Sequence, residues 1–199
     1  MDIRPGARHQ LTNQFLSVCP NNKIPAIRDN EDDVDLFESC HILLHYADRE
    51  KKFIPKDTQG RANCLNWLFW QAACLGPFTG QVGALWKYGG HPSESSQVQR
   101  FVSEVNRLLG VLEKQLSDGR KYIVGDEYTI ADMATWPWVR TPAAFYNAEH
   151  MIDVSKYSNV EQWLNRCMER KASKTALEGA CNWITGECSD GWLCVAHSW

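Results

Sequence analysis

The chain has 199 residues, 44% apolar and 23% charged, with 21 basic against 24 acidic side chains. This is an ordinary globular balance, long enough to bury a core without disulfide staples, and it excludes a disordered chain. A net charge of -3 excludes backbone-driven nucleic-acid binding, no apolar stretch reaches the roughly 18 residues of a membrane span, and MDIRPGARHQ has no apolar leader core, so a cytoplasmic protein is expected.

Residues 24–27 (IPAI) read as a short strand, 29–33 (DNEDD) as an acidic turn, and 34–37 as a second strand, together a hairpin. Ser39 is placed to cap the helix that follows, on which Ile42, Leu43 and Tyr46 share a face. His41 and His45 stand four apart on that helix and read as ordinary helix residues, so no metal site is expected. Residues 51–60 read as a linker punctuated by Pro55 and Gly60.

Beyond the linker the pattern is helical. Ala62, Leu65, Leu68, Phe69 and Ala72 recur at three and four residues, and Gly76-Pro77 should interrupt that helix. Residues 79–93 are Gly-rich and less periodic. A long amphipathic helix carries Val98, Phe101, Val102, Val105, Leu108, Leu109, Leu112 and Leu116 and ends at Asp118-Gly119. Thr129 and Asp132 form a capping-box pattern that opens an apolar helix, which Pro137 should bend or shorten. A last helix carries Val160, Trp163, Leu164, Cys167 and Met168, and the periodicity fails from Gly179 onward.

Trp67, Trp70, Trp86, Trp136, Trp138 and Trp163 fall in periodic segments and are expected in the core, as are Cys64 and Cys74. The eight cysteines include no CxxC pair, and Cys181, Cys188 and Cys194 are too loosely spaced for a zinc knuckle, so reduced thiols are expected. No Walker or GxGxxG phosphate loop is present.

The chemistry concentrates in PNNKIPAIRDNEDDVDLFES, residues 20–39. A proline at a strand entrance withholds a ladder donor. Glu38-Ser39 at a helix start offers a carboxylate for an ammonium, beside N–H groups that favour an anion. A peptide with an amino-acid head suits both places, and glutathione is such a ligand.

PNNKIPAI, LFES and GDEYTIADMATWPWV, in that order, resemble the cytosolic glutathione transferases. The resemblance is closest to the Nu-class branch of bacterial disulfide reductases and the yeast nitrogen regulator, and it covers roughly residues 1–178. It implies an incomplete thioredoxin-like glutathione-binding domain over residues 1–52, a linker over 53–60, an all-helical domain over 61–178 and an atypical Cys- and Trp-rich tail over 179–199. It also implies glutathione as co-substrate, a small electrophile or disulfide as partner, a homodimer, and no nucleic acid or membrane.

By resemblance, Ile24 and Pro25 meet the cysteinyl unit, Glu38 and Ser39 hold the γ-glutamyl head, and Lys23 and Gln10 lie toward the glycyl end. Arg100 is on a helix that lends an arginine to the site, Gln81 is in a loop approaching the thiol, and Asp132 is a folding residue. Trp86 and Tyr88 would line the electrophile pocket, and Cys40, where the family has glycine, would add bulk beside the head pocket. The family places a strand–helix unit ahead of residues 2–3, and that unit carries the thiol-activating group. Without it no catalytic residue is named, conjugation or disulfide reduction is expected to be impaired, and a non-catalytic glutathione-binding or regulatory module is the alternative.

Overall fold

Pro25 decides where the first strand begins. It has no N–H to give a ladder, and the strand β1 starts one residue later, as Ala26–Asp29. β1 pairs antiparallel with β2, Val34–Phe37, in the register Ala26 to Phe37 and Asp29 to Val34. The expected hairpin is present, but its first strand lies two residues beyond the expected start. The shift follows from Asp29, whose carboxylate accepts the Glu31 and Asp32 N–H groups at 2.9 and 3.4 Å and closes the turn after the strand.

The computed structural model describes residues 9–184. The expected strand at residues 2–3 and most of the tail lie outside the described residues. The chain divides into two units, one formed by the described residues up to Ile42 with those from Met168 on, the other by Leu43–Cys167.

In the first unit, Thr12 caps a four-residue helix α1, Asn13–Leu16, within a stretch with no periodic signal. Phe15 and Cys19 form a small core on which Ile24, Ala26 and Phe37 pack. Helix α2, Ser39–Glu50, starts at Ser39 itself. Ser39 is therefore its first residue rather than its cap, and the Glu38 carbonyl accepts the Ile42 N–H at 3.0 Å. The buried positions of α2 are Cys40 and Ala47, while Ile42, Leu43 and Tyr46 are half-buried. Helix α8, Lys171–Ile184, runs through the point where the periodicity was expected to fail.

The second unit is helical. Asp57 accepts the Gly60 N–H at 2.8 Å and starts α3, Thr58–Trp70, inside the stretch read as linker. Gly76-Pro77 does not interrupt the run. A π-turn over Gln71–Leu75 slips the ladder by one residue, so that the Gly76 N–H reaches the Gln71 carbonyl. Pro77 then sits in the first turn of α4, Gly76–Val82, where its missing N–H is tolerated. A second π segment, Gly83–Tyr88, extends the helical run into residues expected to be irregular.

The buried line along this run is Cys64, Leu68, Gln71 and Leu75, whereas Ala62, Phe69 and Ala72 face outward. Apolar residues on several faces hid the true core face from a periodicity count. Of the six tryptophans expected in the core, Trp136 and Trp163 are buried and Trp67, Trp70, Trp86 and Trp138 are half-buried. Cys64 is buried and Cys74 half-buried, and no described cysteine is in a disulfide.

Helix α5, Ser96–Gln115, buries Val98, Val102, Val105, Leu108, Leu109 and Leu112 as its pattern requires. Helix α6, Ile130–Ala144, continues through Pro137 and Pro142 and is not shortened. Helix α7, Ser158–Met168, buries Val160, Trp163, Leu164 and Cys167. Its start is held by Glu113 of α5, which accepts the N–H groups of Asn159 and Val160, each at 3.0 Å.

Arg61 on α3 forms a bidentate pair with Asp48 on α2 at 2.5 and 3.0 Å. The guanidinium holds the Asp48 carboxyl below the usual carboxylate range. A depressed folded value adds stability above the unfolded pKa of about 4, and this is lost as pH falls through the folded value. The side chains are 38% and 42% exposed, so screening limits the effect. Asp48→Asn is expected to cost less than about 1 kcal/mol at neutral pH. In urea melts the gap to the parent should close on acidification.

Candidate functional site

The hairpin register builds the candidate site. Ala26 and Phe37 are the last paired residues at its open end. Pro25 precedes one and Glu38 follows the other, so Ile24-Pro25 and Glu38-Ser39 meet there. The Ile24-Pro25 peptide is cis. Ile24 is half-buried on Phe15 and Cys19, while Lys23, Pro25, Glu38 and Ser39 are exposed.

Glu38 has φ +70°, a left-handed conformation that costs a residue with a Cβ about 1–2 kcal/mol. That backbone turns the strand directly into α2. Glu38 thus presents an exposed carboxylate beside the first-turn N–H groups of α2, where the helix dipole favours negative charge. The pairing of an anion with anion-seeking donors fits the zwitterionic head of an amino acid.

Cys40 is 8% exposed, so its side chain turns inward instead of crowding the head position. Burial pushes its thiol up, against a hydrogen bond with Ser39, which disfavours it as a nucleophile. Gln10 lies in a short 3-10 turn, His9–Leu11, of the same unit. Arg100 on α5 and Gln81 on α4 are exposed residues of the other unit. Asp132 is fully buried at the start of α6 and binds protein donors, as a folding residue does. The sequence pattern gave no sign of the positive φ at Glu38 or of the Phe15 and Cys19 support behind Ile24.

Residues 79–171 match the model of the glutathione S-transferase, C-terminal domain. The disulfide-bond oxidoreductase YfcG of Escherichia coli is 36% identical over 177 residues, covering 86% of this chain and 79% of that protein. The chain belongs to the glutathione transferase family. Its fold is the all-helical transferase domain preceded by a short thioredoxin-like portion with two described strands.

Within the family the disulfide-bond oxidoreductase YghU of Escherichia coli is 39% identical over 176 residues, covering 86% of this chain and 60% of that protein. The chain therefore spans less than two thirds of that relative's length. A glutathione transferase structure from Burkholderia graminis, with two glutathione molecules bound per subunit, superposes with a TM-score of 0.79 at 40% identity. It is matched over 86% of this chain and 73% of its own.

Proposed function

We propose that this transferase-family chain binds glutathione at the open end of the β1–β2 hairpin and uses it in conjugation or disulfide reduction in the cytoplasm. The observation that carries the reading is the meeting of Ile24-Pro25 with Glu38-Ser39 at the head of α2. Glu38 takes the γ-glutamyl ammonium, and Ser39 with the first-turn N–H groups takes its carboxylate. The peptide backbone of the ligand lies along Ile24-Pro25. Lys23 and Gln10 serve the glycyl end, and Arg100 serves the site from the helical domain. Residues 1–52 form the glutathione-binding domain and 61–178 the helical domain.

The nucleophile is the ligand's own sulfur. Its thiolate attacks an electrophilic carbon, forming a C–S bond as the leaving group departs with its electron pair, or it attacks one sulfur of a disulfide and the other sulfur leaves as thiolate. A second glutathione resolves the mixed disulfide and releases glutathione disulfide. This chemistry requires no protein cysteine, in keeping with the raised Cys40 thiol.

The exposed Phe69, with half-buried Leu65, Trp67 and Trp70 on the same helix, supports a homodimer through α3. A second reading, a non-catalytic glutathione-binding module, is favoured by the sheet, which has two strands among the described residues. Calorimetry with glutathione, glutathione disulfide and free glutamate tests the binding. Both glutathione forms should bind and glutamate should not. Turnover of a model electrophile and a model disulfide then separates the readings. A 199-residue polypeptide that binds glutathione but turns over slowly fits the module, whereas fast turnover fits the enzyme. Failure to bind glutathione contradicts both.

A further inference from the structure

In the helical unit, the backbone leaving α5 turns at Asp118-Gly119, two exposed residues that the glutathione site does not use. Gly119 has φ +87°, and a Cβ placed on it would meet no heavy atom within 4 Å beyond its chain neighbours. The conformation calls for glycine, while the surroundings leave its backbone open. Aspartate followed by glycine is the pair in which a backbone nitrogen most readily reaches the preceding carboxyl, because no side chain shields that nitrogen.

Arg120 grips that carboxyl. Its Nε–H donates to Asp118 Oδ1 at 2.8 Å, its Nη2 to Oδ2 at 2.5 Å, and its backbone N–H to Oδ1 at 3.2 Å. The remaining arm, Nη1, donates to the Ile123 carbonyl at 3.1 Å, which also accepts from Gln115 of α5 at 2.8 Å. The Arg120 side chain is 27% exposed against 56% for Asp118, so the planar fork is anchored on the protein side and holds the outer carboxylate by two bonds. These bonds hold the Asp118 carboxyl down to about 2. An ionised carboxylate repels a nitrogen lone pair and has no water to release, so it is a poor electrophile.

We propose that Asp118-Gly119 is a site of isoaspartate formation that Arg120 holds closed in the folded chain. When the clamp opens and the carboxyl takes a proton, the Gly119 nitrogen attacks Asp118 Cγ. A C–N bond forms, a C–O bond breaks, and one water leaves, made of the carboxyl hydroxyl and the nitrogen's proton. The product is a five-membered imide. Water then adds at one of its two carbonyls. Opening at the main-chain carbonyl carries the chain through the side chain as isoaspartate, and opening at Cγ restores aspartate. Nothing is oxidised or reduced, and the net change is an isomerisation. The isoaspartyl product lengthens the backbone by one carbon between α5 and Ile123, whose N–H bonds Asp132. None of this depends on glutathione.

The test incubates the full chain, Arg120→Gln and Arg120→Lys at neutral pH below their melting temperatures. Isoaspartate is then counted in the tryptic peptide that begins at Gln115, by methyl transfer from S-adenosylmethionine with an isoaspartyl carboxyl methyltransferase and by mass spectrometry. The parent should form it slowly. Arg120→Gln should form it about fivefold faster, the upper end for an exposed bidentate pair. Arg120→Lys, which keeps the charge without the fork, should fall between. In urea, where no clamp forms, all three should react at one rate, faster than the folded parent, and this comparison keeps the test informative if the glutamine variant does not fold. A folded Arg120→Gln no faster than the parent, or a parent that reacts as fast folded as in urea, would overturn the proposal.

Discussion

Asp132→Ala should be the most damaging single substitution in the helical unit. One carboxylate oxygen accepts the Ile123 N–H at 2.9 Å and the Trp163 indole N–H at 2.8 Å. The other accepts the Thr129 N–H at 2.9 Å and the Thr129 hydroxyl at 3.0 Å. Asp132, Trp163 and Ile123 are all fully buried, so water cannot replace the lost acceptor without opening the core.

Each stranded donor costs about 1–3 kcal/mol, though not additively. A loss on the order of 4 kcal/mol is expected, with a fall in Tm of about 10 °C. Burial pushes the Asp132 carboxyl up, while the surrounding donors pull it down. Its raised folded value makes its contribution greatest at acid pH and smaller as pH rises through that value, so acidification alone will not reproduce the alanine variant. Asp132→Asn, which keeps one acceptor but turns an amide NH2 toward the other donor pair, should fall between. Thermal melts of the three proteins check the order, and an alanine variant within about 1 kcal/mol of the parent would contradict the account.

The second large effect belongs to Glu38. Removing its carboxylate leaves the ligand ammonium unpaired beside the head of α2. Glu38→Ala is expected to weaken glutathione by about 2 kcal/mol, roughly thirtyfold. The same position should separate binding from stability. Glycine adopts φ +70° without the Cβ penalty. Glu38→Gly should therefore melt at or above the parent's temperature while binding glutathione as poorly as the alanine variant. Calorimetry and thermal melts on the same preparations check both halves. A glycine variant that loses stability, or an alanine variant that keeps the parent's affinity, would count against a strained, ligand-directed Glu38.

The long amphipathic helix α5 and the Asp132 capping pattern were legible because each is a local code, a 3.6-residue period in one case and a fixed three-residue spacing in the other. The hairpin was legible for a similar reason, since two short apolar runs flank an acidic turn. The helical run through Gly76-Pro77 was not. A proline signals a break unless the ladder slips by a residue, and the π-turn that supplies the slip has no composition of its own. The core face of α3 was obscured because Phe69 and Ala72 point outward.

For the site, the residue types and their order carried the glutathione reading, but the geometry did not follow from them. Nothing in LFES foretells a left-handed Glu38, and the bulk expected of Cys40 turns inward because α2 begins one residue before it.

The central claim, that glutathione binds at the open end of the hairpin, is most directly tested by titrating it into the 15N-labelled protein and following the backbone amides. The account predicts that the largest shifts fall on Lys23, Ile24, Ala26 and Glu38–Cys40, and that they vanish in Glu38→Ala while the amides of α7 remain unmoved. Shifts centred elsewhere, or an unchanged pattern in the alanine variant, would contradict it.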